Sequence, residues 1–485
     1  MPASGSRSTD APGNEPGEAP GLAGTGPGPS APTLSAVRVL LIGCYELGHQ
    51  PLQIAGPAGR LRAAGHEVRT LDLAVEPWDP EMAAWADRVG IAVPMHTAMR
   101  IARRVVSLVR DVAPTTPVCA YGLYAPMLAD VADRVLAGET DAALADWVDG
   151  ADDANVVVLD RRAASGGGPL PARDLLPGLD RYARLAIAGE ERPVAYVETS
   201  HGCAHRCRHC PVPVIYDGRI RVVALDDVLR DVEQQVAAGA RHVTFGDPDF
   251  CNGVHHARRV VAAVHERFPD LTFDCTVKVE HVLRHASIWP EFAERGCLFV
   301  VSAFESTDDR VLDHLDKGHT VADEAAAVAL LRRHGIEVRP TWLPFTPWTT
   351  TSQVADLLRF VADHGLIGNV DPVQYTIRLL IPKGSLLLDR PDVAARVGAY
   401  DDTLGAHPWA APDPAVDALQ ARLAALVEAE LAAGASTGEI FAAVCAACGV
   451  DPGPVPADVE RPRLTEPWFC CAEPTAGQFG TLDPV

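Results

Sequence analysis

From residue 37 to about residue 388, short apolar runs alternate with amphipathic helical segments, and this alternation most constrains the fold. A strand, a helix and a second strand return the chain to the same sheet in parallel, so the repeat builds a parallel sheet covered by helices. In the first series Val37–Gly43, Glu67–Leu73, Val89–Val93 and Pro117–Gly122 read as strands. Leu52–Ala64 reads as a helix ended by Gly65, and Ile101, Val105, Leu108 and Val112 recur at helical spacing. The fold class is α/β, and residues 36–150 are expected to form a Rossmann-like doubly wound sheet. Its ligand edge lies beyond the carboxyl ends of the strands, near Cys44–His49, Pro94–His96 and Gly122–Tyr124. Residues 151–190 are a Gly/Pro-rich connection, and the alternation resumes at Val194. The second series, within residues 191–390, has room for the six units of a partial TIM-like (β/α)6 barrel. Residues 391–485 are expected to be a helical extension. Its first helix, Val416–Leu431, carries Leu419, Leu423, Leu426 and Leu431 on one side, and its second, Ser436–Cys448, opens with a capping box from Ser436 and Glu439.

Composition narrows the class. The first 33 residues hold seven Pro and seven Gly with almost no large apolar side chains, so residues 1–35 are expected to be a disordered tail. The chain carries 64 acidic and 42 basic residues, a net charge of −22. Such a surface opposes phosphate neutralisation, so neither nucleic acid nor an anionic membrane is an expected partner. No 18-residue apolar span and no signal-peptide core is present, and twelve cysteines, three of them clustered, read as thiols of a reducing cytoplasm rather than a disulfide framework.

The clustered three are Cys203, Cys207 and Cys210, in Cys203-Ala-His-Arg-Cys207-Arg-His-Cys210, directly after the apolar run Val194–Val197. Three thiolates this close can hold a [4Fe–4S] cluster by three irons and leave the fourth open, as a reactive metal site requires. A zinc site borrowing His205 or His209 is the bland alternative. The spacing resembles that of the radical S-adenosylmethionine (SAM) superfamily. That resemblance implies that the open iron chelates SAM, that one electron cleaves SAM to a carbon radical, and that an external donor such as ferredoxin or flavodoxin supplies the electron. It also implies a small-molecule or peptide substrate at the barrel mouth.

Further segments carry the same resemblance. The residue before the third cysteine is aromatic in the family and packs near the adenine of SAM; here it is His209. Gly246-Asp247-Pro248-Asp249 stands where relatives place an acidic residue for the SAM ammonium, and Asp247 and Asp249 both qualify. Phe304-Glu305-Ser306 followed by Leu315-Asp-Lys317-Gly318 is similar to the family's Gly-x-Glu-Ser segment, which makes Glu305 a contact for the ribose or methionine portion. Lys278 and Glu280 stand near the mouth, and Arg339 or Arg378 would suit a carboxylate.

Residues 36–150, with Ala137-Gly138-Glu139-Thr140, resemble the cobalamin-binding domain that often precedes such a core, as does the prelude Arg173-Asp-Leu-Leu-Pro-Gly178 with Tyr182. The Asp-x-His-x-x-Gly motif is absent around His49, where Leu47 and Leu52 occupy the flanking positions. Cobalamin bound without a histidine ligand and a domain kept only as a lid both remain open. The tail Cys470-Cys471-Ala472-Glu473-Pro474 resembles that of the CUAEP/CCAEP-tail radical SAM proteins. A position that accepts sulfur or selenium suggests hydrogen-atom or electron delivery, soft-element binding, or a metal shared with Cys445 and Cys448 for Cys470 and Cys471, with inert cysteines as the remaining alternative. The function expected is therefore radical SAM chemistry on an unidentified substrate, with cobalamin-dependent methylation as one form of it. A non-catalytic iron–sulfur electron carrier or redox sensor on the same fold is the alternative.

Overall fold

The computed structural model describes residues 36–150, 157–158, 167–455 and 461–466. Its first sheet contains β1 (Arg38–Gly43), β2 (Glu67–Asp72), β3 (Arg88–Ala92), β4 (Val118–Tyr121), β5 (Arg134–Gly138) and β6 (Val157–Val158). All pairings are parallel, in the order β2-β1-β3-β4-β5-β6. The order reverses between β1 and β3, which puts the crevice of this sheet beyond Gly43 and Ala92. Alternation along β1 explains the two layers of helices: Val39 and Leu41 pack with Ile54, Leu61 and Leu144, whereas Leu40 and Ile42 pack with Ile101 and Val105.

The second sheet contains β7 (Arg184–Ile187), β8 (Glu190–Val197), β11 (His242–Phe245), β12 (Thr272–Thr276), β13 (Cys297–Glu305), β14 (Glu337–Trp342) and β15 (Arg463–Leu464), while β9 (Ser200–Gly202) and β10 (Ile220–Val222) form a separate ribbon. The order is β14-β13-β12-β11-β8-β7-β15, with five consecutive parallel strands and an antiparallel pair at the edge. The expected α/β class and two-sheet architecture hold. The sixth barrel unit is reduced: Val373–Ile381 forms a 3-10 turn at Pro372–Tyr375 and a single bridge from Arg378 to Phe345. Thr376 Oγ1 donates to Val373 O (2.8 Å) and closes that turn, which withdraws the segment from the ladder. Thr272–Val279 reads as one strand in the sequence, but β12 ends at Thr276 because Val279 begins the helix Val279–Arg284.

Ser436 and Glu439 form the expected capping box of Thr437–Cys448. The preceding helix, Pro414–Ala432, buries Val416, Leu419, Leu423 and Val427 against the outer side of the second sheet's helices. Leu431, expected on that stripe, is 46% exposed, since the helix end runs past its neighbours.

The connection is an ordered strap from residue 167 onward. Gly59 lets the helix Leu52–Ala63 touch it, because a Cβ there would lie 2.1 Å from Leu170 O. Arg173 is buried and donates to Gln50 O (2.9 Å), to Tyr196 O (2.7 Å) and to both carboxylate oxygens of Asp231 (3.2 and 3.0 Å). One guanidinium thereby joins the first sheet, the second sheet and the helix Leu225–Ala237.

Candidate active site

The cysteine loop hangs between the two strands of a short ribbon. After β8 the chain turns through Glu198 and Thr199 into β9, which pairs antiparallel with β10, so residues 203–219 are clamped at both ends. Gly202 has φ of 78°, and a Cβ there would lie 2.3 Å from Arg219 O, so the clamp demands glycine. Inside the loop Cys210 N donates to Cys207 O (3.1 Å). Asn252 Oδ1 accepts from Ala204 N (3.2 Å) and lies 3.9 Å from Cys203 Sγ. Arg208 pins the far side through Leu315 O, Asp313 O and His314 O.

Cys207 is buried, and Cys203 and Cys210 are partly exposed. Among the described residues, His205, Asp249 and His281 place three metal-ligating atoms within 4.8 Å of one another. The two histidines of the loop are engaged with carboxylates. His205 faces Asp249 and Glu280, and His209 faces Glu305. Lys317 supplies the positive charge. Burial alone would push its ammonium pKa down, but Glu305 and the sulfurs of Cys207 and Cys210 raise it.

Glu305 sits where β13 breaks register with β14, at φ of 71°. A bulge there turns its carboxylate inward. Glu305 Oε1 accepts from Lys317 Nζ (3.1 Å) and lies 3.2 Å from His209 Nε2. Burial raises its pKa, but Lys317 and His209 outweigh this and hold it at about 2. Asp247 accepts from Thr199 N (2.9 Å), Thr199 Oγ1 (2.8 Å) and Ser200 Oγ (2.5 Å), and burial pushes its carboxyl up to about 6. Asp249 Oδ1 accepts from Cys251 N (2.9 Å), and Oδ2 faces the two histidines. The structure thus places Glu305 and His209 together and Asp249 with His205, while Asp247 stands apart beside the β8 turn. Cys470 and Cys471 lie outside the described residues.

A cavity lies between the first sheet's loops and the inner face of the second sheet. Leu47 and His49 line one side; Tyr196, Thr244, Asp247, Asp274, Arg339 and Thr341 line the other. Asp249 does not border it. His49 stacks on Tyr196 (ring centroids 4.6 Å apart), and burial pushes its imidazole down to about 4. Glu139 pairs with Arg221 of β10 and Glu466 accepts from Tyr45 (2.8 Å), so the same two sides meet at three points. Arg378, one of the two arginines considered for a carboxylate, instead pairs with Asp417 and lies over Trp409.

Residues 197–361 match the family model "Radical SAM superfamily". The chain carries a radical SAM domain. Among curated relatives, a protein of Pyrococcus horikoshii described as an uncharacterized methyltransferase is 23% identical over 215 residues, 44% of this chain and 44% of the relative. A tRNA-2-methylthio-N(6)-dimethylallyladenosine synthase of a Shewanella species is 23% identical over 203 residues, 39% of this chain and 42% of the relative. The chain thus spans under half the length of these relatives. The solved structure of the cobalamin-dependent SAM radical enzyme OxsB with aqua-cobalamin superposes with a TM-score of 0.64 at 14% identity, over 82% of this chain and 68% of that one. The likeness in fold therefore extends beyond residues 197–361.

Lys317, Thr199 and His281 were not singled out from the sequence. Lys317 stood in a quoted turn, but only the bulge at Glu305 shows what it pairs with. For His281, at the start of a six-residue helix, no local pattern signals a role.

Proposed function

We propose that this protein is a radical SAM enzyme acting on a small-molecule or peptide substrate in the cavity between its two sheets. The observation that carries the reading is the loop of Cys203, Cys207 and Cys210, which lies within the residues that match the radical SAM family model and has the buried Lys317 beside Cys207 and Cys210. A [4Fe–4S] cluster bound there supplies the electron that cleaves SAM and starts radical chemistry. Lys317 sets a positive charge beside Cys207 and Cys210, and Glu305 keeps Lys317 charged. Asp247, which borders the cavity, is the carboxylate we assign to the SAM ammonium, and His209 packs beside the adenine. Arg339 Nη2 is tied to Asp371 (2.5 Å) while its buried Nη1 has no hydrogen-bond partner, so it suits an anionic group of the substrate. The electron comes from an external donor of the ferredoxin or flavodoxin type. Although a curated relative acts on tRNA, the net charge of −22 favours a smaller substrate.

The finer reading is cobalamin-dependent methylation, supported by the likeness to OxsB. His49 is stacked and buried, so a corrin would be held at the crevice of the first sheet by residues 44–48, 94–96 and 122–124 rather than by that imidazole, and would supply methyl-transfer chemistry there.

The internal pairing of Asp247 and Glu305 favours one second reading, an electron carrier or redox sensor that never engages SAM. Anaerobically reconstituted protein given reductant and SAM decides between them. The enzyme reading expects 5′-deoxyadenosine and an altered EPR spectrum of the reduced cluster. No 5′-deoxyadenosine and an unchanged spectrum would establish the carrier.

A further inference from the structure

We infer that His205, Asp249 and His281 form a second metal site, separate from the cysteine cluster, for one divalent transition ion of the zinc or ferrous type. The three candidate ligand atoms are His205 Nε2, Asp249 Oδ2 and His281 Nδ1. They lie within 4.8 Å of one another, with Asp249 Oδ2 2.8 Å from His281 Nδ1 and 3.6 Å from His205 Nε2. All three atoms are buried, and none has a hydrogen-bond partner of acceptable geometry. Polar atoms deprived of water without a partner are costly, and three that converge on one point call for a cation. The residues come from separate places: the cysteine loop, the turn after β11 and the helix after β12. Only the folded barrel brings them together.

The surroundings match those of metal-bound histidines. Asp249 is held by its other oxygen, which caps Cys251 N (2.9 Å), leaving Oδ2 aimed at the two rings. Behind His205, Glu280 Oε2 lies 3.7 Å from Nδ1 and pairs with Lys278 (3.3 Å). Lys278 Nζ lies 3.1 Å from His205 Nδ1 and 3.3 Å from Glu280 Oε2, so with Nε2 on a metal the ammonium turns wholly to Glu280 and frees Nδ1 for its proton. Lys278 and Arg284 both pair with Glu280, so Asp249 is the carboxylate left to offset charge on a divalent ion. Two imidazoles and a carboxylate suit zinc or ferrous iron, and three protein ligands leave a position open to water or substrate. The site is distinct from the SAM contacts proposed above, since Asp249 does not border the cavity.

The test uses full-length protein with its cluster reconstituted, incubated with zinc and freed of loose metal. Wild type should retain about one zinc per chain, with only nitrogen and oxygen ligands at the zinc absorption edge. His281→Ala and Asp249→Asn should each lower zinc to below about a tenth of that, with cluster absorbance and circular dichroism unchanged. If His281→Ala folds poorly, His281→Gln and Asp249→Asn carry the comparison. A fifth iron in place of zinc that disappears in the variants supports the site equally. No retained metal in wild type, equal zinc in both variants, or sulfur in the zinc shell would overturn it. SAM cleavage is not read, so this outcome stands independently of the proposed enzyme function.

Discussion

In the first sheet both faces of the central strand are apolar, with Val39 and Leu41 under one helix layer and Leu40 and Ile42 under the other. In the second sheet one face is apolar and the other mixed, with Phe299 and Val301 among polar side chains. Ala195, Val197, Val243, Phe245 and Val300 pack outward into the largest core, while Tyr196, Thr244, Asp274, Arg339 and Thr341 line a cavity. The same strand–helix alternation therefore builds a scaffold in one case and a container in the other. A chemical step needs the second arrangement, in which polar groups are held by rigid strands away from bulk water.

The sharpest way to break this contrast is Cys207→Ala in the loop above the container. It should abolish 5′-deoxyadenosine formation while leaving the thermal transition in place, as read by chromatography and calorimetry. Arg173→Ala, between the two sheets, should cost about 3–5 kcal/mol, because it leaves the Asp231 carboxylate buried and unpaired. Denaturant titration measures this, and Arg173→Met should cost less. Leu41→Ala in the scaffold should cost about 2–4 kcal/mol yet leave turnover per folded molecule unchanged. Thr341→Val in the container should reverse that pattern, with about 0.5–1.5 kcal/mol lost and activity changed. Equal profiles for these two variants would dissolve the distinction.

The smallest effect is in pH. Burial holds His49 at about 4, below its ordinary value near 6.5. Between those values the unfolded chain binds a proton that the folded chain does not, so stability falls on acidification. The loss should be about 1 kcal/mol near pH 5.5. His49→Phe, which keeps a ring against Tyr196, should flatten the stability curve in that window and change nothing above about pH 7.

The scaffold was largely legible in the sequence because its signal is local. Apolar runs such as Val39–Ile42 and the stripe Ile101–Val105 announce strand and helix directly. The cysteine triplet was equally plain, since its spacing is a covalent property of one segment. What escaped depends on contacts distant in sequence. The sixth barrel strand read as apolar, yet the turn closed by Thr376 removes it from the ladder. The pairing of Lys317 with Glu305 needs a bulge in β13, and the meeting of His205 with His281 joins residues 76 positions apart. His209, expected beside a nucleobase, shows a ring nitrogen facing Glu305. No periodicity reports such geometry.

A guanidinium that serves Gln50, Tyr196 and Asp231 at once also sets how this chain can be divided. Two sheets suggest two interchangeable modules, but a cut near residue 170 leaves Arg173 on one fragment and the Gln50 carbonyl on the other. The first sheet cannot then be exchanged for that of a relative, nor the half-barrel borrowed alone, unless residue 173 travels with all three of its partners. In this molecule the unit of inheritance is the pair of sheets with their strap.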